Sequence, residues 1–507
     1  ARHEAAAVMM AMASAKLTGE IGVVIATTGP GGTNAIGGVT EAWVDSVPVL
    51  VISGQVYTKQ ISKGVRSFGV QGFNIVENVK NITKYTVQIT NPLEIRYHLE
   101  RAVYEAKSGR PGPVWLDIPF DIQTEKINRK DLISFSTPQF SINNGQNEKI
   151  IKVVHALENS NNPAIIFGQG IRNAHAIQEF KTLLEKLKIP SIAARMAIDI
   201  LPYSSPYYFG LGGMRGQLAP ARILKKCDLI LALGTSFTHA FAGKDYDEYN
   251  SDATLIMVNI DNNEMKKENL RVDLPIRMDI KEFLINILDY SNDYRLSNAK
   301  QSWLRKCHEL KDSLRTASIK KNPINSYYFI ECLNKYSKSN HVFVNDAGSA
   351  NYICSQGLEL KNGQRELTSG AFYSMGVAVP LAIGASIADS RAQIIAITGD
   401  GSIELNIQEL RTIAINNLNI KLFIINNGGY ASIRKSQDDM VGGRYTDDIE
   451  ILNFSKVAAA FELPFYIIDD HNKLDSFLPE VLSNNNPALI EVVCDPNQEI
   501  FEVFKEI

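Results

Sequence analysis

Three doubly wound parallel-sheet domains of the α/β class are predicted for this 507-residue chain on three observations. Apolar runs of strand length alternate with amphipathic helical stretches, the pattern of parallel strands joined by helical crossovers. Those runs end in turns rich in glycine, asparagine and aspartate, as at 27–34, 346–349, 399–402 and 426–429, and this is the edge where open α/β sheets form ligand crevices. The length itself suits about three domains of roughly 100 to 200 residues.

Composition narrows the function. With 45% hydrophobic and 21% charged residues, each domain has enough apolar side chains for a core. A formal net charge of -3 offers no electrostatic case for nucleic acid or an anionic membrane. No apolar run approaches the roughly 18 residues of a membrane span. Cys227, Cys307, Cys332, Cys354 and Cys494 form no CxxC pair, so buried free thiols in a reducing compartment, the cytoplasm, are expected.

In order, residues 2–17 (RHEAAAVMMAMASAKL) read as a tightly packed helix with Glu4 in its first turn, where an acid complements the helix dipole. The chain opens inside this element, so part of the first domain is expected to be missing. A strand at 21–26 leads into Thr27-Thr28-Gly29-Pro30-Gly31-Gly32-Thr33-Asn34, a turn that opens a second helix and lacks the GxGxxG order of a dinucleotide fingerprint. A strand and turn at 47–55 and a strand at 113–118 flank the polar loop 57–73, the kind of loop that carries substrate contacts, with Gln71 as its candidate residue. A polar linker at 124–147 separates the first domain (1–125) from a second (148–292), whose strands are at 164–167, 229–233 and 255–260. A charged linker with helical character, 293–321, leads to the third domain (322–507), which opens with a strand at 341–345 and the turn Asp346-Ala347-Gly348-Ser349.

The most informative stretch is 393–430. A strand ends in Gly399-Asp400-Gly401, apolar residues at Ile403, Ile407, Leu410 and Ala414 mark one helix face, and a second strand ends in Asn426-Asn427. A right-handed crossover makes the strands parallel and puts Asp400 and Asn427 at the same edge. A carboxylate and an amide carbonyl are hard oxygen donors suited to Mg²⁺, which usually keeps phosphate oxygens in its shell. Ser402 is expected to cap the following helix, whose N-terminus attracts an anion.

GDG, then 24 residues, then NN resembles the diphosphate and Mg²⁺ signature of thiamine-diphosphate enzymes. RHEAAA, ATTGPGGTN, DSVPVLVISGQV, KSGRPGPVWLDIP, TSGAFYSMG, GDGSIELNIQEL and IINN together resemble the catalytic subunit of acetolactate synthase and related 2-oxo-acid enzymes. The resemblance implies a pyrimidine-binding, a central and a diphosphate-binding domain, with the active site shared between subunits of a homo-oligomer, a dimer or tetramer. It implies that Glu4 bonds the aminopyrimidine ring, that Met375 supports the bend of the cofactor, and that the Tyr373 carbonyl accepts from its amino group. Asp400, Asn427 and the Gly429 carbonyl would hold Mg²⁺. Pro30, Asn34, Gly348, Ser349, Gly401, Ser402 and Tyr430 complete the implied cofactor set, and Gln71 joins Glu4 as a candidate catalytic residue.

Departures from that pattern bear on the substrate. The arginine that anchors a second keto acid beside FAD in a GxRFDDRVTG stretch is Ser236 here, within Gly234-Thr235-Ser236-Phe237. A carboxylate-bearing acceptor thereby loses a bidentate partner worth about 2 to 3 kcal/mol, and loss of the DDR element argues against FAD. Phe120 replaces a lysine, Val70 a phenylalanine, and Ser436 a tryptophan that selects small acceptors. The expected reaction is decarboxylation of a pyruvate-like 2-oxo acid with ligation to a larger aldehyde or ketone, a sugar derivative included. A simple decarboxylase and acetolactate synthase proper are the competing readings, and a non-catalytic relative is opposed by the joint presence of Glu4, Met375, Asp400 and Asn427.

Overall fold

Continuous apolar runs such as AIIF and LILAL become strands buried on both faces, which is what parallel sheets covered by helices require. The computed structural model describes residues 1–61, 64–138, 147–243, 252–268, 270–291, 294–316, 318–445, 450–501 and 503. It contains three sheets. The first comprises β1 (Gly22–Ala26), β2 (Val49–Gln55), β3 (Tyr85–Gln88) and β4 (Val114–Pro119), in the order β1-β2-β4-β3. The second is built from β5 (Pro163–Phe167), β6 (Ser191–Ala193), β7 (Tyr208–Leu211), β8 (Leu229–Leu233), β9 (Thr254–Asn259) and β10 (Leu274–Arg277), ordered β10-β9-β8-β5-β6-β7. The third holds β11 (His341–Asn345), β12 (Arg365–Leu367), β13 (Gln393–Gly399), β14 (Ile420–Asn426), β15 (Phe465–Ile468) and β16 (Ala488–Val493), ordered β12-β11-β13-β14-β16-β15. Every pairing between these strands is parallel.

Helix α1 (Glu4–Thr18) starts at His3, whose ring accepts from the Ala5 amide, and stops at Gly19 in the left-handed conformation. Its small residues let it pack closely on the helix Ala378–Ala388: a Cβ on Gly384 would lie 2.1 Å from the Met10 carbonyl oxygen. Helix α2 (Pro30–Val44) begins with proline at its first turn, where no amide partner is lost. Within the expected linker at 293–321, the helix Asn298–Ser313 is a packed element, with Trp303 and Cys307 buried and the Trp303 indole donating to Pro163 at 3.0 Å.

Partly buried ion pairs join the three units. Asp199 accepts from Arg172 at 2.7 Å and Arg365 at 2.6 Å, and Arg365 also donates to the Lys16 and Leu17 carbonyls. Arg195 pairs with Glu366 at 2.7 Å, and Arg110 spans Asp261 and Glu264. Among the described residues, no helix is long and apolar enough to cross a membrane.

Candidate active site

Register sets the first cluster. Gly399 pairs with Ile425, so Asp400 and Asn427 leave neighbouring parallel strands at one edge. The Asp400 carboxylate, 4% exposed, accepts from the Gly401 amide at 2.8 Å, the Asn427 amide at 3.0 Å and the Gly429 amide at 2.8 Å. Gly428, Gly429 and Tyr430 have φ of 85°, 79° and 46°, and these three successive left-handed residues fold the chain back over Asp400. The Tyr430 ring fills the space beside Gly401, where a Cβ would lie 2.7 Å from it.

This donor set fits magnesium. Among the described residues no group of three or more His, Cys, Asp or Glu could hold a metal. One carboxylate with amide and carbonyl oxygens is instead the shell that Mg²⁺ shares with phosphates. Two helix N-termini meet beside it. The helix Gly348–Gly357 opens at Gly348 (φ 64°), and Ser349 Oγ lies 3.3 Å from Ser432 Oγ in the first turn of the helix Ala431–Val441. Two hydroxyls and two helix starts lie together there, the groups that attract an anion. The sequence reading missed Ser432, although a serine just after a glycine turn is a visible helix-start signal.

Two expectations at this edge are corrected. Ser402 makes no side-chain capping bond, so it starts the next turn through its backbone alone. The single amphipathic helix after Gly401 is instead a 3-10 stretch, Ile403–Glu409, and a short α-helix, Leu410–Ile415, with non-helical geometry at Asn406. Asn406 is diverted because its amide donates to the Gly376 carbonyl at 2.9 Å, fastening this segment to the loop that carries Met375.

That loop is held from several sides. Tyr373 has a φ of 56°, and its amide donates to Ser369 Oγ at 2.6 Å. Met375 is half-buried beside it. The buried Asp346 carboxylate accepts from the Gly376 amide at 2.8 Å, the Ala378 amide at 3.1 Å and Thr398 Oγ1 at 3.0 Å, so it ties the loop to β13. Burial pushes Asp346 upward in pKa, and these hydrogen bonds oppose the shift.

A second cluster lies at the carboxyl end of β1. Glu4 Oε2 accepts from Asn34 at 3.0 Å, and Gly31 leaves room for Oε1, to which a Cβ there would come within 3.4 Å. Gln71 is exposed with φ 62°, and its carbonyl occupies the space above Gly29, next to Pro30. Gln55 steadies this loop by donating to the Phe73 carbonyl at 2.8 Å and to Asp117 at 3.0 Å. Glu4, Pro30, Asn34 and Gln71 are therefore brought together. Val70 is 87% exposed, Phe120 packs on Tyr57 with ring centroids 5.1 Å apart, and Ser436 is exposed on the helix Ala431–Val441.

The chain joins the two clusters only indirectly. The Arg2 and His3 amides donate to Glu409 Oε1 at 2.5 and 3.2 Å, but no hydrogen bond links Glu4 to the Asp400 cluster among the described residues. A cavity of about 1120 Å³ opens at the carboxyl edge of the second sheet, lined by Gly168, Thr235, Ser236 and Asn259, and reaches Tyr373.

Three family models match the chain in order. Family models described as thiamine pyrophosphate enzyme N-terminal TPP binding, central, and C-terminal TPP binding domains match residues 1–78, 150–287 and 346–492. The acetolactate synthase large subunit of Lactococcus lactis is 29% identical over 99% of this chain and 86% of its own length. The probable acetolactate synthase large subunit of Methanocaldococcus jannaschii is 30% identical over 98% of this chain and 85% of its own, and the acetolactate synthase large subunit of Cyanidium caldarium is 31% identical over 99% and 86%.

Proposed function

The chain belongs to the thiamine pyrophosphate enzymes of the acetolactate synthase type, and from that premise we propose that it decarboxylates a pyruvate-like 2-oxo acid and joins the remaining acyl unit to an aldehyde or ketone, a sugar derivative among the candidates. The observation that carries this reading is the meeting of Asp400, Asn427 and Gly429 with two serine-bearing helix N-termini at one sheet edge. When bound, thiamine diphosphate supplies a nucleophilic carbon and an electron sink for the departing CO₂. Asp400 Oδ, the Asn427 amide oxygen and the Gly429 carbonyl would hold Mg²⁺, while Ser349, Ser402, Ser432 and the helix N-termini would hold the diphosphate. Met375 and the Tyr373 carbonyl would set the cofactor's bend, with Pro30, Asn34, Gly348, Gly401 and Tyr430 lining its bed. Glu4, oriented by Asn34, would exchange a proton with the pyrimidine ring, and Gln71 would face the substrate.

The roomier acceptor pocket rests on Val70, Phe120 and Ser436, and on Ser236 in place of a guanidinium. The reading excludes a bound flavin, since Ser236 stands where the family pattern has arginine; visible flavin absorbance in the purified protein would refute it. The site is read as shared within a homo-oligomer, which the missing link between Glu4 and the Asp400 cluster supports, as do exposed Val70, Phe68, Ile433 and Met440. Dilution to monomer is expected to extinguish activity, and an active monomer would refute the shared site. The working domain boundaries are 1–125, 148–292 and 322–507. A reducing, cytoplasmic setting suits five buried free thiols.

The test is incubation with pyruvate, Mg²⁺ and thiamine diphosphate, with and without a panel of aldehydes and sugar ketones, followed by mass analysis. An acceptor-dependent adduct is expected. Free aldehyde formed at a rate indifferent to acceptor would establish the simple decarboxylase, and acetolactate from pyruvate alone would establish acetolactate synthase proper, the reading that the relatives' names favour.

A further inference from the structure

Helix α2 carries Glu41 in its last turn and is capped by Asp45, and both carboxylates bond the loop 369–376. Glu41 is fully buried, and its Oε2 accepts from Ser374 Oγ while the Ser369 hydroxyl also faces it. Its other oxygen, Oε1, is buried with no hydrogen-bond partner among the described residues. Asp45 accepts from the Gly370 amide at 3.0 Å and pairs with Lys16 at 2.7 Å. At its other end the same helix presents Asn34 to Glu4.

The loop needs such support. Tyr373 is a bulky residue in the left-handed region, a strained conformation that persists only where its surroundings over-determine it. Asp346 and Asn406 secure the Gly376 side, and Ser369 holds the Tyr373 amide. Ser374, between the two proposed cofactor contacts, is fixed by a side chain 333 residues away.

We propose that Glu41 is a positioning residue, which clamps the Tyr373–Met375 turn through Ser374 and makes α2 a single strut between the pyrimidine-binding and bend-supporting groups. The inference rests on the cofactor reading given above. Burial, and after it the neighbouring Asp45 carboxylate, push Glu41 upward in pKa, while Ser369, Ser374 and Lys16 pull the other way. An amide oxygen of the same reach accepts from Ser374 Oγ as the Glu41 carboxyl does, so Glu41→Gln should rescue what Glu41→Ala loses.

The experiment is calorimetric titration of thiamine diphosphate with Mg²⁺ into the full chain, together with the thermal midpoint of the cofactor-free protein. Ser374→Ala and Glu41→Ala are each expected to weaken cofactor binding about tenfold, the scale of one lost buried hydrogen bond and the order that came with it. The double variant should be no worse than the poorer single, and Glu41→Gln should bind within about twofold of the parent. Ser374→Ala should leave the cofactor-free thermal midpoint almost unmoved, which separates positioning from folding. If Glu41→Ala does not fold, Ser374→Ala and Glu41→Gln decide. Parent-like affinity in Ser374→Ala, or a Glu41→Gln as weak as the alanine variant, would overturn the inference. A parent chain that binds no thiamine diphosphate would instead overturn the cofactor reading on which it stands.

Discussion

At the scale of single residues, Glu4 and Asp400 are both carboxylates and are expected to fail differently. Glu4→Gln keeps a partner for Asn34 but cannot exchange a proton, so cofactor affinity should hold within a few-fold while turnover falls at least about 100-fold, the usual span of acid-base contributions. Asp400→Ala removes the acceptor of three backbone amides as well as a hard oxygen ligand, so Mg²⁺-dependent cofactor binding should vanish. Calorimetry beside steady-state rates tests the pair, and equal losses in both quantities for Glu4→Gln would argue against its assigned role. Glu4 and Asp400 were legible because each lies inside a short contiguous pattern. Asp346 and Glu41 were not, because they act across sequence separations that periodicity does not see, as with the 333 residues between Glu41 and Ser374.

At the scale of elements, the strands were readable as apolar runs between turns, and β13 with β14 emerged parallel and adjacent as their crossover required. The helix between them did not emerge as one piece, since a tertiary bond from Asn406 outweighed its apolar spacing. Helix contacts also set the sign of glycine substitutions. Alanine in a helix interior is ordinarily worth roughly 0.5 to 1 kcal/mol over glycine. At Gly384 the added methyl would meet the Met10 carbonyl at 2.1 Å, and overpacking of roughly 1 to 3 kcal/mol should win. At Gly37 nothing lies within 4 Å, so alanine should stabilise. Thermal midpoints of Gly384→Ala and Gly37→Ala should therefore move in opposite directions.

At the scale of the whole molecule, Arg365 is the point where the three units meet, and Asp199 is the carboxylate that anchors it. Burial raises the pKa of Asp199, but Arg172 and Arg365 outweigh that and hold it below the ordinary carboxylate value. A group depressed on folding stabilises at pH above its unfolded value and loses that contribution as pH falls through its folded value. Asp199→Asn strands two arginines and should cost about 3 kcal/mol near neutrality. That deficit should stay constant down to about pH 5 and shrink only below about pH 4, as urea midpoints would show. A deficit that closes near neutral pH would place the coupling elsewhere.

The stacking of Tyr430 over Gly401 has a consequence for how this scaffold could be diversified. The two positions are locked to each other: a larger residue at 401 has nowhere to go unless the ring leaves, and a smaller one at 430 opens a hole beside Gly401. Substitutions at exposed Ser436 meet no such lock, so on the proposed reading laboratory evolution toward new acceptors should find more productive steps there than at 401 or 430.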